Sequence, residues 1–340
     1  MILILSHESI DEPTNILIDW LSYYNANFIR LNGDDFSFTG TLKIDINNNK
    51  IQSNNGQTIV SEDINVVWYR RWMKPEFEKS FFEKYLKMNY SVDDVLLVEK
   101  YNKFLLRELS TYTNGIFSIF RKKLWIPKPD KARGNINKLD VLLKAKDIGL
   151  IIPETIVTSS KAEVIDFIKI NKRIITKPIY EATAIRYKNT EIPMLTMEVT
   201  HKDIDEFPDI FFPSLFQKNI DKQFEIRTFI YRNEIYSMAM FSQNDKQTSI
   251  DFRNYNIEKP NRYVPFLLPR DIELKLLELL QELDLNTGSV DMIYDNNENY
   301  IFLEVNPVGQ SAMVSTNCNY PFEKMIAKDL IELDNKDLLI

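Results

Sequence analysis

The chain has 340 residues, 44% hydrophobic and 27% charged, with a net charge of −7, which excludes a disordered tail, a fibre or a small disulfide scaffold and predicts two or three packed domains. Cys318 has no second cysteine and only His7 and His201 for company, so no internal disulfide, zinc cluster or imidazole-based chemistry is expected. The acidic balance argues against a nucleic-acid partner, no apolar run approaches the roughly 18 residues of a membrane span, and MILILS lacks the basic start of a signal peptide, so a cytoplasmic chain without a membrane partner is expected.

In chain order, 1–6 reads as a buried strand, and Pro13 opens a helix with Ile16, Leu17, Trp20, Leu21 and Tyr24 on one stripe. Asn27 to Leu31 follows as a second strand, and strand–helix–strand predicts a parallel α/β domain. Residues 32–65 are polar with weak strands. Val66 to Tyr69 is apolar and ends in Arg70-Arg71, for which a solvated strand end is the default reading. Lys79 to Leu109 has helical patterning. The proline-punctuated crossing Leu124 to Pro129 marks the first boundary.

A second unit then begins. Lys138 to Ile148 reads as a helix closed by Gly149, Ile152 to Thr158 as a strand, Lys161 to Ile170 as a helix and Arg173 to Ile179 as a strand. Leu215 to Asn219 is β, and Glu225 to Ser242 is a hairpin turning near Asn233-Glu234. Pro269 starts a helix with Leu274, Leu277 and Leu280 as its buried stripe. Ser289 to Val305 is the clearest hairpin, turning through Asp295 to Asn299, and a last helix runs from about Pro321.

The strongest constellation is Asp291 with Glu304-Val305-Asn306-Pro307. Glu304 and Asn306 are two apart on a strand and share a face. A loop of Asn296 to Asn299 sets Asp291 opposite Glu304, whereas a loop one residue longer or shorter separates them. Two carboxylates and an amide oxygen are hard ligands suited to Mg²⁺. Their apolar neighbours indicate a buried sheet, where unpaired carboxylates would be costly.

Lys177, ending a β-branched strand, and Lys138, at a helix start, are candidate phosphate contacts. Glu225 and Arg227 share a strand face, and the pair fits phosphate recognition or a cross-strand ion pair equally well. Asp251, Arg253 and Arg262 lie in a polar stretch between two candidate site elements.

The order of these pieces resembles an ATP-grasp ligase. Asn137-Lys138 through Gly149 and Ile152-Pro153-Glu154-Thr155 resemble the opening of that fold's central domain. Thr176-Lys177-Pro178 resembles its second nucleotide lysine, and Gln217 to Ile220 its adenine hinge. Glu225-Ile226-Arg227, Gly288 to Asp291 and Phe302 to Pro307 resemble its arginine strand and magnesium hairpin. More narrowly, FLEVNPVGQ (302–310), LNTGSVD (285–291), Asp251-Phe252-Arg253 and Trp68-Tyr69-Arg70-Arg71 resemble the graspetide branch, the microviridin-type macrocyclases and grasp-with-spasm maturases.

The resemblance implies an α/β ATP-grasp fold with a parallel N-terminal domain (1–125), a central lid domain (126–215) and a mixed α+β C-terminal lobe (216–340). It implies ATP and Mg²⁺ as cofactors, with Asp291, Glu304 and Asn306 on the metal, Lys138 and Lys177 on the phosphates, and Gln217 near adenine. Arg227, Glu225 and Arg253 are the implied catalytic residues. The implied activity phosphorylates Asp or Glu side chains of a ribosomal precursor peptide, leader plus core, and joins them to Ser/Thr or Lys as esters or amides, in a homodimeric enzyme. A ligase adding free amino acids and a nucleotide-binding protein without turnover stay open beside it. One departure is that Tyr180 to Ala184, after the second lysine, contains no glycine.

Overall fold

The computed structural model describes residues 1–6, 11–33, 43–52, 56–70, 72, 95–132, 136–180, 183–187, 190–243, 258, 260–309 and 311–336. The chain forms two compact units, residues 1–129 with 323–340, and residues 130–322. This division is coarser than the three expected domains in the middle of the chain, and it returns the C-terminal helix to the first unit.

In the first unit β1 (Ile2–Ser6), α1 (Glu12–Tyr23) and β2 (Phe28–Asn32) follow the expected order. A small antiparallel meander of β3 (Lys43–Asp45), β4 (Lys50–Gln52) and β5 (Thr58–Val60) precedes β6 (Val66–Tyr69). After α2 (Val95–Ile119) comes β7 (Leu124–Ile126), and the parallel sheet has the order β2-β1-β6-β7. Every residue of β1 is buried, as expected of a central parallel strand covered on both faces. Leu17 and Leu21 carry the buried stripe of α1.

Two expectations change here. The helix expected over 79–109 continues to Ile119, because Ile116 and Phe117 are buried and Phe117 meets the rings of Tyr69 and Trp125 edge-on at 5.7 and 5.8 Å; residues 79–94 lie outside the described set. Arg70 is 4% exposed rather than solvated. Its N–H bonds the Leu5 carbonyl at 3.0 Å, so the ladder carries it inside the sheet's end. Arg71 is outside the described residues. The last helix docks in this unit through its end, where Asp334 accepts from the Met1 amine at 2.6 Å and from the Asn65 side chain at 2.9 Å.

The second unit opens with α3 (Lys138–Asp147), whose N-cap Asn137 accepts from the Leu139 N–H at 2.9 Å. Gly149 ends it at φ +86°, the left-handed geometry that favours glycine. Next come β8 (Thr155–Ser160), α4 (Lys161–Asn171), β9 (Ile174–Lys177), the hairpin β10 (Thr183–Tyr187) with β11 (Thr190–Met194), β12 (Met197–Val199), α5 (His201–Glu206) and β13 (Ile210–Lys218). Strand β8 starts three residues later than expected, after Pro153, and β9 stops at Lys177, before Pro178; a proline has no N–H for the ladder. These strands form a sheet of order β12-β9-β13-β8, backed by Val164, Phe167 and Ile168 of α4.

The other sheet has the order β16-β15-β14-β17-β18 and is antiparallel throughout. Its strands are β14 (Lys222–Tyr231), β15 (Glu234–Phe241), β16 (Arg262–Phe266), β17 (Thr287–Asp295) and β18 (Tyr300–Asn306). One face presents Ile226, Ile230, Val290, Met292 and Phe302 to α3 and to α6 (Arg270–Glu282). The buried stripe of α6 is Leu276, Leu279 and Leu280, with Leu277 partly buried and Leu274 51% exposed. The expected three-residue spacing from Leu274 drifts off the true face, since 3.6 residues make a turn.

Arg262, expected in a polar loop, is the first residue of the edge strand β16. Its guanidinium lies 5.6 Å from the Phe241 ring centroid, a cation–π contact at a sheet edge. His201 is an exposed first residue of a capped helix. Cys318 is buried, and burial pushes its thiol up. No described helix is long and apolar enough to cross a membrane.

Candidate nucleotide and metal site

The second face of the five-stranded sheet carries Glu225, Arg227, Asp291, Ile293 and Glu304. With the ends of β9 and β13 it walls a cleft lined by Lys177, Gln217, Lys222, Glu225, Asp291 and Glu304, among others. Each polar group arrives there for a local reason.

Asp291 stands opposite Glu304, as expected, but by another route. At the hairpin tip Tyr294 pairs with Tyr300, so the loop holds five residues, Asp295 to Asn299. By itself that register would turn Glu304 to the apolar face. The pairs Asp291–Glu304 and Met292–Phe302 leave Leu303 over as an extra residue, a β-bulge that restores the alignment. Leu303 and Glu304 consequently both line the cleft, while Phe302 and Val305 both enter the core. The tip is fixed by Asp295, whose carboxylate accepts from the N–H groups of Asn297 and Asn299 at 2.8 Å each.

Arg227 pairs with Asp291 across β14 and β17, and its guanidinium reaches both carboxylate oxygens at 3.1 and 3.3 Å. Arg227 is 4% exposed, and its Nε is buried with no protein hydrogen bond among the described residues. The pattern left Arg227 between phosphate recognition and an ion pair; the ion pair is present, with a donor left over. Glu225 does not pair with Arg227. It accepts from Lys222 Nζ and from Ser242 Oγ. Sequence reasoning missed Lys222, because three residues apart on a strand means opposite faces unless a bulge intervenes.

Lys138 brings its ammonium from the start of α3 to 3.7 Å from Glu304 and 3.4 Å from the Pro178 carbonyl. Lys177 lies at the end of β9 on the cleft wall. Gln217, 1% exposed, donates to Thr155 Oγ1 at 2.9 Å, and its Oε1 is buried without a described donor. Asn306 follows Glu304 on β18, with its amide oxygen accepting the Gly309 N–H at 3.1 Å; a carbonyl oxygen has a second lone pair left for a ligand. Gly309 is required in this turn: at φ +59° a Cβ there would sit 2.7 Å from Ser289 Oγ and 3.1 Å from Ser289 N. Arg253, with Asp251 and Phe252, lies outside the described residues, as do 181 and 182 in the glycine-free loop.

The donor set fits a hard cation and an anion together. Among the described residues no three His, Cys, Asp or Glu side chains are grouped for a metal. The oxygens on offer are therefore two carboxylates and one amide, an incomplete shell of the kind Mg²⁺ completes with water and phosphate oxygens. Lys138 and Lys177 add positive charge, and the orphaned Arg227 Nε and Gln217 Oε1 are a donor and an acceptor in want of partners.

Residues 1–133 match the MvdD pre-ATP grasp domain. A RiPP-associated ATP-grasp ligase from Chryseobacterium gregarium, in complex with ADP and a leader and core peptide, superposes with a TM-score of 0.80 at 24% identity, over 99% of this chain and 96% of that one. The chain adopts the ATP-grasp fold. Macrocyclase MdnC from Microcystis aeruginosa MRC, bound with precursor peptide MdnA, is similar over 98% of this ATP-grasp chain and all of its own, with a TM-score of 0.77 and 26% identity. The ATP-grasp ligase PsnB, complexed with a phosphomimetic variant of a minimal precursor, Mg and ADP, gives a TM-score of 0.73 at 16% identity over 98% of both chains. No curated protein sequence matches significantly.

Proposed function

We propose that this ATP-grasp chain is an ATP- and Mg²⁺-dependent ligase that crosslinks side chains of a ribosomal precursor peptide. The observation that carries the reading is the pairing of Asp291 with Glu304 on a cleft face that also holds Arg227 and receives Lys138, in a chain similar from end to end to a precursor-bound macrocyclase.

Asp291, Glu304 and Asn306 would hold Mg²⁺, which when bound screens the negative charge of the nucleotide tail. Lys138 and Lys177 bind phosphate oxygens as point charges, and Gln217 meets the adenine side. A carboxylate oxygen of a peptide Asp or Glu attacks the terminal phosphorus of ATP, and ADP leaves. Arg227, fixed by Asp291 in a buried setting, stabilises the charge on the transferring phosphoryl group; Glu225 and Arg253 complete the catalytic set. A Ser/Thr hydroxyl or Lys amine of the same peptide then attacks the acyl carbon; the bond from that carbon to the phosphate oxygen breaks, its electron pair leaves with phosphate, and phosphate takes up the proton the nucleophile gives up. Such chemistry needs placement and charge stabilisation more than acid–base side chains, which agrees with a chain holding only 2 histidines. The precursor's leader docks on the enzyme and its core enters the cleft.

The experiment is mass spectrometry of a cognate precursor peptide incubated with the protein, ATP and Mg²⁺. Loss of one water per ring, matched by ADP, is expected. A gain of amino-acid mass would instead support addition of free amino acids. An unchanged mass with no ADP would defeat both ligase readings.

A further inference from the structure

Lys222 lies inside the cleft for a reason that the spacing of residues conceals. Lys222 pairs with Asp295 and Phe224 with Tyr294, so Gln223 is an extra residue in β14. This bulge brings Lys222 onto the face of Glu225, three positions on. The two side chains are 8% and 9% exposed and joined as an ion pair through Lys222 Nζ and Glu225 Oε1. Ser242 Oγ donates to the same Oε1 at 2.8 Å. Both bonds fall on one oxygen, and among the described residues nothing bonds the second oxygen of this carboxylate, which lines the cleft. A buried carboxylate held by two donors on one side is fixed in direction as well as in charge.

We infer that Lys222 is a positioning residue: with Ser242 it holds the Glu225 carboxylate so that Oε2 faces the bound substrates, and it acts through Glu225 without touching them. The inference deepens the ligase reading and relies on it only for the role Glu225 serves.

The test is a double-mutant cycle in the full chain, read in two ways: the Kd for Mg·ADP by calorimetry without peptide, and kcat and KM for peptide-dependent ADP release. Glu225→Gln shows which quantity Glu225 controls. Lys222→Met is expected to move that same quantity in the same direction by about tenfold. Lys222→Arg should recover most of the loss. Adding Lys222→Met to Glu225→Gln should change it by less than about twofold.

Equal weakening by Lys222→Met in both backgrounds would mean direct contact with ligand and overturn the inference. So would a Lys222→Met that spares what Glu225→Gln moves, or a Glu225→Gln silent in every measurement. If Lys222→Met fails to fold, Ser242→Ala keeps the ion pair and removes one donor. It should shift the same quantity by about two- to threefold, and no shift would overturn the inference. A wild-type chain that binds Mg·ADP but releases none with peptide would defeat the peptide-ligase reading, while the Lys222–Glu225 coupling is still decided by the Kd.

Discussion

The two faces of the five-stranded sheet are built from alternate residues of the same strands and obey opposite rules. On one, Ile226, Val290, Met292 and Phe302 interdigitate with Leu276, Leu279 and Leu280 of α6, and any charge would be ruinous. On the other, Arg227, Asp291, Glu225 and Lys222 are nearly as deeply enclosed, yet each is matched by an opposite charge. The apolar face is a source of stability. The charged face contributes little of it, because buried ion pairs recover with difficulty the hydration they give up. It is better understood as what the cleft's chemistry requires of a scaffold rigid enough to carry it.

Three measurements would sharpen or break this division. The largest effect belongs to Glu304→Ala, expected to lower peptide-dependent ADP release by about a thousandfold or more. Its melting temperature should change little, because the side chain is 26% exposed and the Lys138 ammonium is 3.7 Å away, a long ion pair. A collapse of folding with it would erase the contrast between the faces. Second is Phe302→Ala, on the same strand but facing the core at 0% exposure. Chemical denaturation should show a loss of about 3–5 kcal/mol, while Mg·ADP affinity of the remaining folded protein is retained. The smallest effect is at the hairpin tip. Burial raises the Asp295 carboxyl, but hydrogen bonds from Asn299 and Asn297 outweigh it and leave the group below its ordinary value. A group lowered in the fold stabilises above its unfolded pKa, roughly 4, and loses that contribution as pH falls through the lowered folded value. Asp295→Asn should flatten the acid side of the stability curve and leave its neutral plateau slightly lower, read by denaturation across pH.

Much of this was legible in the residues, and the failures share a cause. Period-two alternation put Glu304 and Asn306 on one side and found the partner Asp291, and β-branched runs ending in Lys177 marked the opposite wall. What alternation cannot register is a residue added to one strand of a pair. Lys222 was missed on that account, and the match of Asp291 to Glu304 was inferred from a loop one residue shorter than the one present, with Leu303 making up the difference. Burial beyond a strand's apolar run was also hidden: Arg70 looked like a solvated terminus because nothing local reveals that its N–H bonds the Leu5 carbonyl. Leu274 was assigned inward because three-residue spacing approximates a helical turn without equalling it.

Gln223 and Leu303 supply no ligand and no charge in this arrangement, yet each decides which way its neighbours look. The cleft is thereby sensitive to the count of residues as well as to their kind. Excising Leu303 would remove the bulge and leave Glu304 next after Phe302, still opposite Asp291, and excising Gln223 would likewise leave Lys222 opposite Asp295; one further residue inserted at either place would instead turn Glu304 or Lys222 toward the other face. A one-residue insertion at either place is therefore expected to cost more activity than deletion of the bulge residue itself, as peptide-dependent ADP release would show.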